Sequence, residues 1–179
     1  MNTLSTTRLV MRALREDDLD AFHAYCRKPL IGPMAGWATH TTPEESFRIL
    51  KAMIRDDDVW GITRKPDDVI IGTIGLHART LDHILSDRRE IGYVLDDVHW
   101  GQGLIPEAVM AVLAHAFEEL GSEEVLCGHE ESNTRSKRVI EKCGFTFRNL
   151  ETRKRHDGKD AVIHLYGMTR HAYEKRHDT

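Results

Sequence analysis

Between residues 90 and 121 the chain passes from a strand pattern into a long apolar helix through a stretch that packs two glycines into three positions. "EIGYVL" (residues 90–95) has strand composition. Beyond it, Ala108, Val109, Val112, Leu113, Ala116, Phe117 and Leu120 recur with a period of about 3.6 residues, and Gly121 can end that helix. The link is "HWGQGLIPEA", which sets Gly101 and Gly103 just ahead of the helix. Pro106 falls in the first turn, where a missing N–H leaves no bond unmade. Glycines let backbone N–H groups approach a ligand, and the helix start adds unpaired donors and a partial positive charge. Such a strand–loop–helix unit is a cradle for phosphate or pyrophosphate, or else a plain tight turn. It is not a P-loop, because no Lys-Ser or Lys-Thr follows the glycines. Nor is it a dinucleotide fingerprint, since Pro106 stands at the last glycine position and the preceding strand is not the first.

The flanking segments supply the rest of an α/β sheet. "TRLVMRAL" (residues 7–14) reads as an opening strand. "EDDLDAFHAYC" follows as a helix with Glu16, Asp17 and Asp18 in its first turn. "TPEE" starts a second helix that runs to about Ile54, with Thr42 as cap, Pro43 at the first helical position and Glu45 reaching back to complete a capping box. "VWGIT" and "VIIGTIGL" are strands joined at "KPDD", and a polar loop over residues 81–88 leads to "EIGYVL". After the long helix come the strand "EVLCGHE", the basic helix "NTRSKRVIEKCG" and a strand pair, "FTFRNLE" and "AVIHLYGM", across "RHDGKD". The expectation is one mixed, mostly antiparallel sheet of about six to seven strands flanked by about four helices.

Composition narrows the function. At 179 residues the chain suits a single domain over residues 1–179. A net charge of -4 argues against a nucleic-acid partner. No apolar run reaches membrane-spanning length, and the first residues lack the basic and apolar parts of a secretory signal. Cys26, Cys127 and Cys143, odd in number and far apart, suit a reducing cytoplasm. The 11 histidines form no H-E-x-x-H or Cys/His cluster, so no metal is expected.

"WGQGLIPEA" resembles the acetyl-CoA pyrophosphate loop of the GNAT superfamily of N-acetyltransferases, Q/R-x-x-G-x-G/A, in the form W-G-x-G-x-A-x-E-A of its RimJ/RimL-like branch. "TTRLVMR", "EIGYVL" and "NTRSKRVIEKCGF" are similar to three further motifs of that branch, in the same order, so the likeness spans about residues 7–168. Ile105 departs from the pattern at the last Gly/Ala position of the loop, and Trp100 stands where many relatives carry Gln or Arg.

The resemblance implies the GNAT fold, with its sheet splayed between strands 4 and 5, and acetyl-CoA as cosubstrate. It implies that Trp100, Gly101, Gln102, Gly103, Leu104 and Ile105 hold the diphosphate. Tyr93, Val94 and Leu95 would offer backbone groups to the pantetheine arm and the acetyl carbonyl, and Asn133 would contact the arm. Gly92, inside its strand, suggests a bulge or a close backbone approach. Many relatives place a tyrosine acid where this chain has Ile140; in the RimL-like branch the serine takes that role, so the resemblance implies Ser136 as the acid for the departing thiolate, directly or through a water. Arg138 would sit near the cofactor phosphates, or on a solvated face.

Glu90 is the first candidate base, with His77 and His129 at strand ends as weaker ones. Trp37 and His77 are candidate acceptor contacts, whereas Trp60 reads as core. Cys127 and Cys143 read as small apolar residues rather than acyl carriers. An α-amine, with a pKa of about 7.7–8.0, needs far less help than a lysine near 10.4. A site without a strong base therefore favours a protein or peptide N-terminus, attacking directly in a ternary complex. The alternatives are a small-molecule amine acetyltransferase acting on antibiotics, polyamines or amino acids, and a non-catalytic acetyl-CoA sensor. Relatives of this kind are often homodimers.

Overall fold

Alternation within the strands produces two separate cores, one on each face of the sheet. In the computed structural model, which describes residues 1–81, 84–155 and 158–176, an eight-stranded sheet has the order β1-β2-β3-β4-β5-β6-β8-β7. The strands are β1 (Leu4–Ser5), β2 (Leu9–Ala13), β3 (Val59–Arg64), β4 (Ile70–Leu81), β5 (Ile84–Leu95), β6 (Glu124–Glu130), β7 (Thr146–Lys154) and β8 (Asp160–Thr169). The helices are α1 (Leu19–Cys26), α2 (Ile31–Met34), α3 (Pro43–Asp56), α4 (Leu104–Ala114), α5 (Thr134–Lys142) and α6 (Arg170–Glu174). On one face Ile74, Leu76, Ile91 and Leu95 pack with Leu9 and Met11 beneath Val109, Val112 and Leu113 of α4. On the other, Val59 and Ile70 pack with Phe22 and Tyr25 of α1 and Leu50 of α3. β3 is buried on both faces up to its last residue, as a strand covered by helices on each side must be.

All strand pairs are antiparallel except β5 and β6, joined by the crossover through α4. They pair only from Arg88↔Glu124 to Ile91↔Cys127. Past that point Gly92–Leu95 keeps its ladder to β4 but loses its neighbour on the other side. The splay expected between strands 4 and 5 is therefore present; the added Leu4–Ser5 strand makes it β5 and β6.

Several local expectations need correction. The sheet has eight strands and six helices, more than anticipated, because β1, α2 and α6 are too short to leave a periodic signal. The polar segment expected as a loop over residues 81–88 is largely strand: β4 runs to Leu81 and β5 starts at Ile84, with Ala78 opposite Arg89 and Leu81 opposite Ile84, while residues 82–83 lie outside the described residues. Gly92 marks no bulge, since it pairs squarely with Gly75; the register shift lies between Ala78 and Thr80. The long helix is α-helical only to Ala114 and finishes as a π-turn over His115–Glu119. Thr42 does cap α3, accepting from the Glu45 N–H at 3.2 Å, but the Glu45 carboxylate turns to the Thr41 N–H at 2.9 Å instead of Thr42. In the turn expected across "RHDGKD", residues 156–157 lie outside the described residues.

Candidate active site

The glycine loop takes a shape that few other residues permit. Gly101 and Gly103 have φ of 75° and 73°, and Gly103 is the cap that opens α4. Left-handed backbone of this kind costs an L side chain about 1–2 kcal/mol. The loop is held from behind. Arg8 donates from Nη1 to the Gln102 carbonyl at 2.9 Å and from Nη2 to that of Gly103 at 3.4 Å. Its Nε meets Glu107 Oε2 at 2.7 Å, while Glu107 Oε1 accepts from the Arg8 N–H and the Thr6 hydroxyl. Burial raises the Glu107 pKa, but these donors outweigh it and leave the carboxyl below its ordinary value. With two loop carbonyls tied to Arg8, the amides at the mouth of α4 stay available to an anion. Arg64 also donates to the Gln102 side chain at 3.2 Å.

Cations gather at the same place. A Cβ on Gly103 would lie 4.0 Å from Lys142 Nζ and 3.8 Å from Arg8 Nη2. The Arg135 guanidinium stacks 4.3 Å above the Trp100 ring, whose Nε1 donates to the Leu95 carbonyl at 2.8 Å. Trp100 thus anchors the loop, and Leu104 and Ile105 are buried behind it. Arg138 is exposed on the wall of the same cleft. Bare amides, an open space at Gly101 and four nearby cations fit a diphosphate.

From this loop a cleft of about 1150 Å³ runs through the gap between β5 and β6. On the α4 side, Tyr93 OH lies 2.8 Å from Ser136 Oγ, and Ser136 is buried. Burial, and then the neighbouring Cys127, hold the Tyr93 phenol well above its ordinary pKa, so it stays protonated. The Asn133 amide is engaged at both ends: Oδ1 accepts from the Ser136 N–H at 3.0 Å and Nδ2 donates to the Met34 carbonyl at 2.9 Å. Asn133 therefore caps α5 and joins it to α2. Ile140, in line with Ser136, is 1% exposed and belongs to the core.

The other mouth opens on the face that carries α1 and α3. Ile49, Met53, Asp56, Asp58 and Trp37 line it, and Trp37 also stacks on His40 with centroids 4.8 Å apart. Glu90 lines the cleft but is braced: Arg79 donates to Oε2 at 2.5 Å and Arg153 to Oε1 at 2.6 Å. Both of its carboxylate oxygens are thus already engaged by guanidinium donors. His129 is buried, its Nδ1 donating to the Glu130 carbonyl at 2.7 Å. Trp60 is core, with Nε1 donating to the Asn2 carbonyl. His77 sits on the acceptor face beside Asp58, at an Nδ1–Oδ2 distance of 2.5 Å. Sequence reasoning missed Arg8, Asp58 and the Tyr93 hydroxyl, whose partners lie tens of residues away. No group of three or more His, Cys, Asp or Glu is placed to hold a metal among the described residues.

Comparisons with known proteins agree with this geometry. A family model described as an acetyltransferase (GNAT) domain matches residues 8–146. The uncharacterized N-acetyltransferase p20 of Bacillus licheniformis is 29% identical over 172 residues, 93% of this chain and 94% of that protein. The uncharacterized N-acetyltransferase YoaA of Bacillus subtilis is 28% identical over 147 residues, 79% of this chain and 81% of its own. Among solved structures, a GNAT-family acetyltransferase from Bacillus anthracis superposes with a TM-score of 0.82 at 20% identity, covering 95% of this chain and 99% of its own. The ribosomal α-N-protein acetyltransferase RimL, in complex with coenzyme A, superposes with a TM-score of 0.75 at 18% identity, covering 96% and 99%. The chain belongs to the GNAT family of acetyltransferases. It is an N-acetyltransferase, and acetyl-CoA is its cosubstrate.

Proposed function

We propose that the amine this acetyltransferase takes is a protein or peptide N-terminal α-amine, attacked directly in a ternary complex. The observation that carries this is the acceptor mouth: an apolar lining of Trp37, Ile49 and Met53 ending at two carboxylates, Asp56 and Asp58. Such a mouth suits a short side chain beside an ammonium group. A solved structure with the same fold is named for α-N-protein acetylation, which supports the choice.

In this scheme the amides from Trp100 to Ile105 grip the diphosphate, with Arg138 beside the outer phosphates. Backbone groups of Tyr93, Val94 and Leu95 that face away from β4 bind the arm and the acetyl oxygen. A donor of this kind, held where negative charge develops, is worth about 3 kcal/mol. Ser136 protonates the departing sulfur, with the Tyr93 phenol donating to it from behind. Asn133 acts by fixing the start of α5, and Trp37 contacts the acceptor. Burial raises the thiol pKa of both Cys127 and Cys143, the latter to about 11, so both are protonated and neither suits an acyl carrier. Three buried, unpaired cysteines also suit a cytoplasmic setting.

The test is thiol release from acetyl-CoA with Ala- or Ser-starting peptides, polyamines and aminoglycosides. Fastest turnover of the peptides supports the assignment. Preference for a small amine replaces it with small-molecule acetylation, and binding of acetyl-CoA without release to any amine points to a sensor.

A further inference from the structure

On the acceptor face, Gly75 of β4 stands directly opposite Gly92 of β5, so neither strand covers that spot with a side chain. The His77 imidazole fills it. A Cβ built on Gly75 would stand 2.6 Å from His77 Nε2 and 2.8 Å from Cε1, and one on Gly92 would stand 3.9 Å from the same Nε2. The ring is folded back along its own strand, with Nε2 facing the residue where β5 leaves β6. Its Nδ1 bonds to Asp58 Oδ2 at 2.5 Å, just ahead of β3. A carboxylate only accepts, so Nδ1 carries a proton, and in the neutral ring this puts the lone pair on Nε2. The side chain is 47% exposed and lines the cleft.

We propose that His77 is the general base of acetyl transfer, turned by Asp58 and seated by the missing side chain of Gly75. This rests on the transfer chemistry proposed above. The amine nitrogen bonds to the acetyl carbon as one of its N–H protons passes to His77 Nε2, and the carbon–sulfur bond breaks. The sulfur takes a proton through Ser136 from water, and the imidazolium returns one to water, so the sum is amine plus thioester giving amide plus thiol. Acid and base stand on opposite faces of the sheet with the slot between them. Glu90 pairs with His77 across the ladder, but its oxygens are held by Arg79 and Arg153. The base is therefore the neighbour of the residue that strand position alone favours.

The experiment measures kcat, acetyl-CoA affinity and melting temperature for wild type, His77→Ala, Asp58→Asn and Gly75→Ala. It uses whichever of an Ala-starting peptide, a Ser-starting peptide, spermidine or kanamycin the wild type acetylates fastest. His77→Ala is expected to lose about 10²-fold or more in kcat. Acetyl-CoA affinity should stay within about twofold, and added imidazole should restore part of the rate. Gly75→Ala should lose a similar factor while keeping His77, its fold and its cofactor affinity, because the new Cβ displaces the ring. Asp58→Asn should fall in the same direction. The dyad is overturned if His77→Ala stays within about threefold of wild type, or if His77→Gln restores the rate while imidazole does not. A wild type that binds acetyl-CoA yet acetylates none of the four probes overturns the transfer chemistry itself, and the base with it.

Discussion

The Tyr93 phenol and the Ser136 hydroxyl meet at 2.8 Å, linking β5 to α5 at the narrow part of the slot. In the proposed mechanism the two groups would form a relay whose outer member is the buried serine and whose inner member is held protonated. Ser136→Ala should therefore lower kcat by about 10²-fold, within the usual range for a lost acid. Tyr93→Phe, which leaves the serine in place, should lower it by about tenfold. Both should bind acetyl-CoA with nearly unchanged affinity in calorimetry; a loss confined to binding would show that the pair only packs.

Glu107 ties the glycine loop to the residues just ahead of β2 through Arg8 and Thr6. Glu107→Gln should weaken acetyl-CoA about tenfold, or ~1.4 kcal/mol. Its folded pKa is lowered, so the stability it contributes is complete above the unfolded value of about 4.3 and is lost as pH falls through the lower folded value. Urea unfolding of wild type and Glu107→Gln should differ at neutral pH and converge in acid.

At Gly103 there is room for a methyl group, since the nearest atoms to a Cβ are 3.8 Å and 4.0 Å away. The cost of Gly103→Ala is then conformational, about 1 kcal/mol. Gly103→Asn, which tolerates positive φ better, should recover part of the lost acetyl-CoA affinity. Equal losses in both variants would mean that the site rejects side chains rather than backbone strain.

His40 is buried between Phe22 and Trp37, with Nδ1 bonded to Ser46 Oγ at 2.8 Å. Burial lowers its pKa; Glu45 opposes this and His23 adds to it. A depressed histidine gives stability that is complete above its unfolded value of about 6.5 and lost as pH falls through the folded value. Melting temperature should drop on acidification through that window. His40→Gln should flatten the drop but not abolish it, because buried His129 is depressed as well.

Neither buried thiol should carry an acetyl group. Intact mass after incubation with acetyl-CoA alone should show no added acetyl, and Cys143→Ala should keep its kcat. A stable adduct, or ping-pong kinetics, would replace direct attack.

Most of the architecture was legible because long periodic segments and glycine punctuation are local signals. α4, α5 and the loop between β5 and α4 could be read from spacing alone. The extended pairing of β4 and β5 was hidden because the sequence over residues 81–88 mixes polar and apolar residues with no clean period-2 alternation. At the site, the glycines and Ser136 lie in contiguous motifs. The Arg8–Glu107 lock joins residues 99 positions apart, and the Asp58–His77 contact needs β3 and β4 in register before it exists. Glu90 looked like a base because strand alternation turns it toward the cleft, but alternation cannot foresee the two arginines that brace it.

Between β5 and β6 the backbone ladder runs only from Arg88 and Glu124 to Ile91 and Cys127. The sheet thus has a built-in fracture line between its first five strands and its last three. A pantetheine chain lying along the open part would act as a substitute strand, with amide groups where a peptide's would be. Acetyl-CoA bound as proposed would then be a mechanical strut as well as a reactant, and the two halves should melt more nearly in unison when it is bound.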